Sequence, residues 1–166
     1  MPLSAGCGNL VQNGGFEQGL DSWLGLENLA LESLPLCHQG LLALALGKPD
    51  PAMPAAIFQD VPVTQRRTYR IELFVAGVGQ EPPDLLVDVR WVGCCGEGDS
   101  ALAGGPIRVR NNAVCPPGRV VWKAVSAYTG AVPPGTDSAR ISLSTTCGSE
   151  IGGYALVDDL SFTPRG

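Results

Sequence analysis

Residues 68–75 set the pattern of the chain. Tyr69, Ile71, Leu73 and Val75 alternate with Arg70, Glu72 and Phe74, and a period of two turns one set towards a core and the other outward. Residues 85–92 repeat the device, with Leu85, Val87, Val89 and Trp91 inward and Asp88 and Arg90 outward. Residues 139–145 follow suit, with Ile141 and Leu143 inward and Arg140, Ser142 and Ser144 outward. Residues 119–127 and 154–162 add two strands, and 21–24, 29–32, 40–46 and 57–63 are shorter apolar runs separated by Gly, Pro or Asp. Residues 12–19, 77–84, 93–105 and 132–137 read as turns and loops by composition, and nothing repeats. About eight short strands without a helical period predict an all-β chain folded as an antiparallel β-sandwich or jelly roll. An open barrel is the alternative architecture.

Composition narrows this picture. The 166 residues are 45% hydrophobic, which suits one domain over 1–166 and a single substantial core. The 22 glycines and 14 prolines match a fold of many tight turns. A net charge of -5 without a basic cluster argues against nucleic acid as a partner. The longest apolar run, around Leu41, Leu42, Leu44 and Leu46, is far below the ~20 residues that span a bilayer, so no membrane partner is expected. The first residues, Met1 to Cys7, contain neither a basic leader nor an apolar stretch, so no signal peptide is visible.

The cysteines change the picture more. Cys7, Cys37, Cys94, Cys95, Cys115 and Cys147 form an even set without a C-x-x-C pair, with only His38 available to complete a mixed zinc site, so zinc is not expected. Disulfides are therefore expected, and with them an oxidising destination. Cys94 and Cys95 would point to opposite faces of a strand and so take different partners, leaving one available to another molecule. Six reduced cysteines packed as small hydrophobes are the alternative.

Two motifs carry a resemblance. Asn9-Leu10-Val11-Gln12-Asn13-Gly14-Gly15-Phe16-Glu17, followed by Gly19 and Trp23, resembles the opening of galactose-binding-like jelly-roll modules. Leu156-Val157-Asp158-Asp159-Leu160-Ser161-Phe162 is similar to their closing strand, and residues 58–73 and 135–141 to central and late ones. Within this group the chain looks most like the N-terminal domains that precede collagen-like repeats in spore-surface proteins. The resemblance implies a non-catalytic carbohydrate-binding module at an extracellular, cell or spore surface. It also implies a structural calcium held by Glu17 and Asp158, with a carbonyl from Gly40 or its neighbours; hard oxygens at ~2.4 Å are what that ion requires. By alternation Asp158 shares a face with Leu160 and Phe162 and points inward, where it needs compensation. Hydrogen bonds from turn amides would supply that without an ion.

Sugars are gripped by an aromatic platform ringed with polar groups. Trp23, Trp91 and Trp122 all read as core residues, which leaves Phe74, Arg70, Glu72, Asp88 and Arg90 on the outward face of the central strands as the groove candidates, with Tyr128 as a lesser one. A solvated face of cross-strand ion pairs is the competing reading. The second functional class is a cysteine-cross-linked, self-assembling surface protein, a homo-oligomer or filament joined by strand addition or disulfides. Catalysis ranks third: His38 adjoins Cys37 in sequence, a poor arrangement for a nucleophile and its base, and no hydrolase or phosphate-binding motif is present.

Overall fold

The computed structural model of the protein describes residues 8–93, 96–110, 120–146 and 151–166. Among these lie eleven antiparallel strands in two sheets. The first sheet runs β1 (Leu24–Glu27), β4 (Ala55–Pro62), β10 (Thr136–Thr145), β6 (Leu85–Gly93) and β7 (Gly96–Ser100), with β8 (Ile107–Val109) also paired to β6. The second runs β2 (Leu29–Ser33), β3 (Leu42–Leu46), β11 (Gly153–Pro164), β5 (Tyr69–Gly79) and β9 (Lys123–Tyr128). The chain changes sheet at most connections, so the strands pair with partners far away in sequence. This is the jelly-roll arrangement expected from the sequence, as two separate sheets and not an open barrel.

The alternating positions fill the space between the sheets. Ile71, Leu73 and Val75 from one sheet meet Val87, Val89, Ile141 and Leu143 from the other, all buried together with Phe16 and Phe162. Tyr69 stacks on Phe162 with centroids 4.9 Å apart, and its hydroxyl accepts the Thr64 amide at 2.8 Å, so the one polar atom of this large buried ring is satisfied. Trp23 is buried against Phe16 and donates its indole N–H to the Asn13 carbonyl at 3.1 Å, as its reading as a core residue requires.

The two chain ends meet. The Leu10 amide donates to the Phe162 carbonyl at 2.8 Å, the Phe162 amide to Asn9 Oδ1 at 2.8 Å and the Leu160 amide to the Gly14 carbonyl at 2.9 Å. A Cβ on Gly14 would lie 2.0 Å from the Leu160 carbonyl oxygen, so only glycine permits this approach.

Three local expectations are corrected. Residues 93–105 are not all loop, since β7 folds back on β6 and raises the strand number above eight. Residues before Leu24 form turns, and β1 begins only there. The third correction is to Asp158. A bulge inserts one extra residue into β11, so that Asp158 opposes Phe74 but Ser161 opposes Glu72. Asp158 consequently shares the outer side of its sheet with Phe74, not the inner side with Leu160 and Phe162. It is nonetheless fully buried, because the segment 37–42 folds over it. No helix long and apolar enough to cross a membrane occurs among the described residues.

Candidate functional site

Glu17 and Asp158 do converge on the 37–42 segment. Glu17 Oε1 accepts the amides of Leu41 at 2.8 Å and Leu42 at 3.0 Å. Asp158 Oδ2 accepts those of His38 at 2.9 Å and Gln39 at 3.2 Å, while its Oδ1 takes the Asp159 amide at 2.8 Å. Burial raises the Asp158 carboxyl above the usual carboxylate range, opposed in part by these amides. Gly40 has a φ of 68° and packs so tightly that a Cβ would sit 2.2 Å from Glu17 Oε1, while its carbonyl accepts the Cys37 thiol at 3.3 Å. The three residues implied as calcium ligands are thus gathered at one corner. Glu17 Oε1, both Asp158 oxygens and the Gly40 carbonyl, however, face N–H and S–H donors, which suit a carboxylate–amide clamp; as placed, they do not fit a calcium cage, which needs carbonyl oxygens turned inward.

Cys37 is buried, which raises its thiol pKa, and it forms no disulfide with any described residue. Cys7, Cys94, Cys95, Cys115 and Cys147 lie outside the described residues. His38 forms no hydrogen bond with the thiol. Its ring stacks on Phe74 at 3.8 Å, and its Nδ1 lies 2.7 Å from Asp159 Oδ2. The structure thus directs the thiol to the Gly40 carbonyl and the imidazole to Asp159 and Phe74.

The five groove candidates are not brought together. Arg70, Glu72 and Phe74 lie on β5, and Asp88 and Arg90 on β6, in different sheets, so their outward faces lie on opposite sides of the sandwich. Arg70 and Glu72 pair with each other at 2.5 Å, and Phe74 has one ring face covered by His38. Arg90 Nε donates to Asp88 Oδ2 at 2.8 Å. Tyr128 is exposed but has the Arg165 guanidinium 4.4 Å from its ring centre. Alternation along a strand says which side a residue faces, not which strand lies beside it.

A different set does form a groove. Trp91 is half-buried at the end of β6, touching Tyr69 edge-on at 6.5 Å. Beside it lie Glu97, Gly98, Asp99 and Ser100 of β7, and Pro133, Pro134, Gly135 and Thr136 form the facing wall, enclosing about 440 Å³. Such volumes suit a small ligand, roughly 300–1,000 Å³ being usual. The wall approaches closely because residue 93 is glycine: a Cβ there would lie 2.6 Å from the Gly135 carbonyl oxygen. Ser100 Oγ donates to Asp88 Oδ1 at 2.6 Å, which anchors β7 to β6. Chemically the groove borders the half-buried Trp91 and the exposed Asp99, whose carboxylate accepts hydroxyl or ammonium hydrogens, while Glu97, opposite Val92, lies 3.6 Å from Arg140 on the outer face of the sheet. Alternation alone missed it by assigning Trp91 wholly to the core. The cue was the acidic, Gly-rich run 97–100 a few residues beyond that tryptophan. A larger cleft of about 580 Å³ opens between Val75, Arg108 and Lys123, but the link 111–119 between its walls lies outside the described residues.

No family model matches the sequence, and no curated protein matches it. Solved structures do. The chain is similar to TmCBM61, solved in complex with β-1,4-galactotriose, at 18% identity and a TM-score of 0.65, over 95% of this chain and 99% of that one. It is also similar to the Stig cyclase Fisc from Fischerella sp. TAU, at 10% identity and a TM-score of 0.67, over 95% and 96%. A third match is the enzymatically active domain of bacteriophage CBA120 tailspike protein 4, at 15% identity and a TM-score of 0.67, where 95% of this chain spans 21% of that one. One fold therefore serves sugar-binding modules and enzymes alike. With its two antiparallel sheets, joined ends and matching solved neighbours, the chain has the jelly-roll fold of the carbohydrate-binding modules.

Proposed function

We propose that the protein is a non-catalytic carbohydrate-binding module of an extracellular, cell or spore surface, and that it takes saccharide in the Trp91 groove. The observation that carries this reading is the half-buried Trp91 in a recess lined by Gly98, Asp99 and the wall of residues 133–136. Sugar rings present apolar C–H faces to an indole and hydroxyls to carboxylates, so this pairing of groups is the one a saccharide needs. The fold likeness to a galactotriose-bound module makes a β-1,4-galactan oligosaccharide a reasonable first probe.

The test is affinity electrophoresis and titration against soluble polysaccharides, with Trp91→Ala and Asp99→Ala alongside the wild type. Retention should vanish in Trp91→Ala and weaken in Asp99→Ala, an exposed position whose change leaves the melting temperature nearly unaltered. Retention unaffected by both variants, or none on any polysaccharide, would overturn the reading.

The corner made by Glu17 and Asp158 supports the fold by hydrogen bonds, and we propose that it closes without the calcium that the resemblance implies. Self-assembly is the second reading, and β1 favours it: this edge strand is exposed along its length, with Leu24 and Leu26 each 54% exposed and only Glu27 charged. Native edges are usually guarded by charge, proline or a covering loop. Non-reducing gels and electron microscopy that show a clean monomer would dismiss assembly.

A further inference from the structure

The two walls of the Trp91 groove are held in different ways. Residues 133–136 form one, where the rings of Pro133 and Pro134 lock φ and Gly93 lets the Gly135 carbonyl pack against the end of β6. The other wall is β7. Arg90 pairs with Ser100 and Val92 with Glu97, so two steps along β6 answer three along β7. The extra residue makes a bulge, and both Gly98 and Asp99 stand opposite Trp91. A bulge disrupts the ladder and bends its strand, so the position of this wall at Trp91 depends on what holds β7 to either side.

Before the bulge, Gly96 pairs with Gly93. After it, the hold is Ser100. Its hydroxyl donates to Asp88 Oδ1 at 2.6 Å and accepts the Leu102 amide at 3.4 Å. Asp88 is itself fixed in place: it is 5% exposed, Oδ1 also accepts the Val89 amide at 2.9 Å, and Oδ2 takes Arg90 Nε at 2.8 Å. One residue later the chain leaves β6, with the Ala101 amide donating to the Val89 carbonyl at 2.6 Å and its carbonyl accepting the Gly130 amide at 2.9 Å beyond the end of β9.

The Ser100 hydroxyl is directed to Asp88 and away from Trp91, so it governs where Gly98 and Asp99 stand and does not serve a ligand itself. Building on the proposed function, we propose that Ser100 is a positioning residue for saccharide binding: its bond to the buried Asp88 carboxylate sets the width of the groove across Trp91. A salt-bridged carboxylate makes stronger hydrogen bonds than a neutral acceptor. Without that bond β7 samples wider arrangements at the bulge, and apparent affinity falls with the fraction of molecules that hold the binding-competent one.

The experiment is titration, well below the melting temperature of every variant, with the soluble polysaccharide that the wild type retains best, β-1,4-galactan being tried first. Ser100→Ala should weaken binding roughly fivefold to tenfold. Ser100→Thr, which restores the hydroxyl, should bind within about twofold of the wild type. Tyr154→Phe is the control for stability alone: it removes the 3.0 Å bond from Tyr154 to Glu32 on the second sheet, so it should lower the melting temperature and leave affinity unchanged. A Ser100→Ala protein that melts lower yet binds as the wild type does, or a loss that Ser100→Thr fails to repair, would overturn the inference. If Trp91→Ala still abolished binding in that case, the saccharide site would stand and only the positioning role would fall. Binding that Trp91→Ala leaves intact, or failure of every polysaccharide to bind the wild type, would remove both.

Discussion

Replacing Gly40 by alanine tests the Glu17 clamp directly. The new methyl group would lie 2.2 Å from Glu17 Oε1, and the residue sits at a φ of 68°. Two costs add. Holding alanine in the left-handed region costs about 1–2 kcal/mol, offset in part by the smaller unfolded-state entropy, worth about 0.4–1 kcal/mol. Expelling the carboxylate also forfeits the bonds from the Leu41 and Leu42 amides, about 0.5–1.5 kcal/mol each at the exposed Glu17. The sum is about 2–3 kcal/mol, or roughly 4–12 °C in Tm for a chain of this size. Gly47 is the control: its φ is 88°, but a Cβ added there would meet nothing within 4 Å, so Gly47→Ala carries the backbone cost alone, roughly 1 kcal/mol. Thermal and urea melts of Gly40→Ala, Gly47→Ala, Glu17→Ala and the Gly40→Ala/Glu17→Ala pair separate the terms. In the Glu17→Ala background, Gly40→Ala should cost no more than Gly47→Ala. Equal losses for the two glycines in the wild-type background would refute the clamp. The same melts, run with calcium and with a chelator, should superimpose; a calcium-dependent rise in wild type that is missing in Glu17→Ala would restore the ion.

The remaining predictions use the same assays. Because Asp158 has its folded pKa raised by burial, the stability it contributes is complete below the unfolded Asp value of about 3.9 and is lost as pH rises through the raised one. The stability gap between wild type and Asp158→Asn should therefore shrink from acid towards neutral pH, and a gap that widens would contradict the assignment. Phe162→Ala opens a cavity where β11 packs on Tyr69 and should cost about 3–5 kcal/mol in urea unfolding; a loss below about 1 kcal/mol would show that the stack is not a central part of the core.

The sequence by itself determined which residues of β5, β6 and β10 face inward, because a strand has a period of two and a buried face admits only apolar side chains. It also marked, in the opening and closing motifs around Gly14 and Leu160, the two segments that the structure joins. It did not determine which strands are neighbours. Arg70 and Arg90 look alike in the pattern yet stand on opposite sides of the sandwich, since pairing is chosen by contacts between distant segments. A single inserted residue between Asp158 and Ser161 moved Asp158 to the other side of its strand, a change invisible to alternation because it arises from how β11 must fit β5. Trp91 shows the limit most plainly. Its inward period is real, but at the end of β6 the core gives way to the wall of residues 133–136, and only that packing turned a core tryptophan into the floor of a groove.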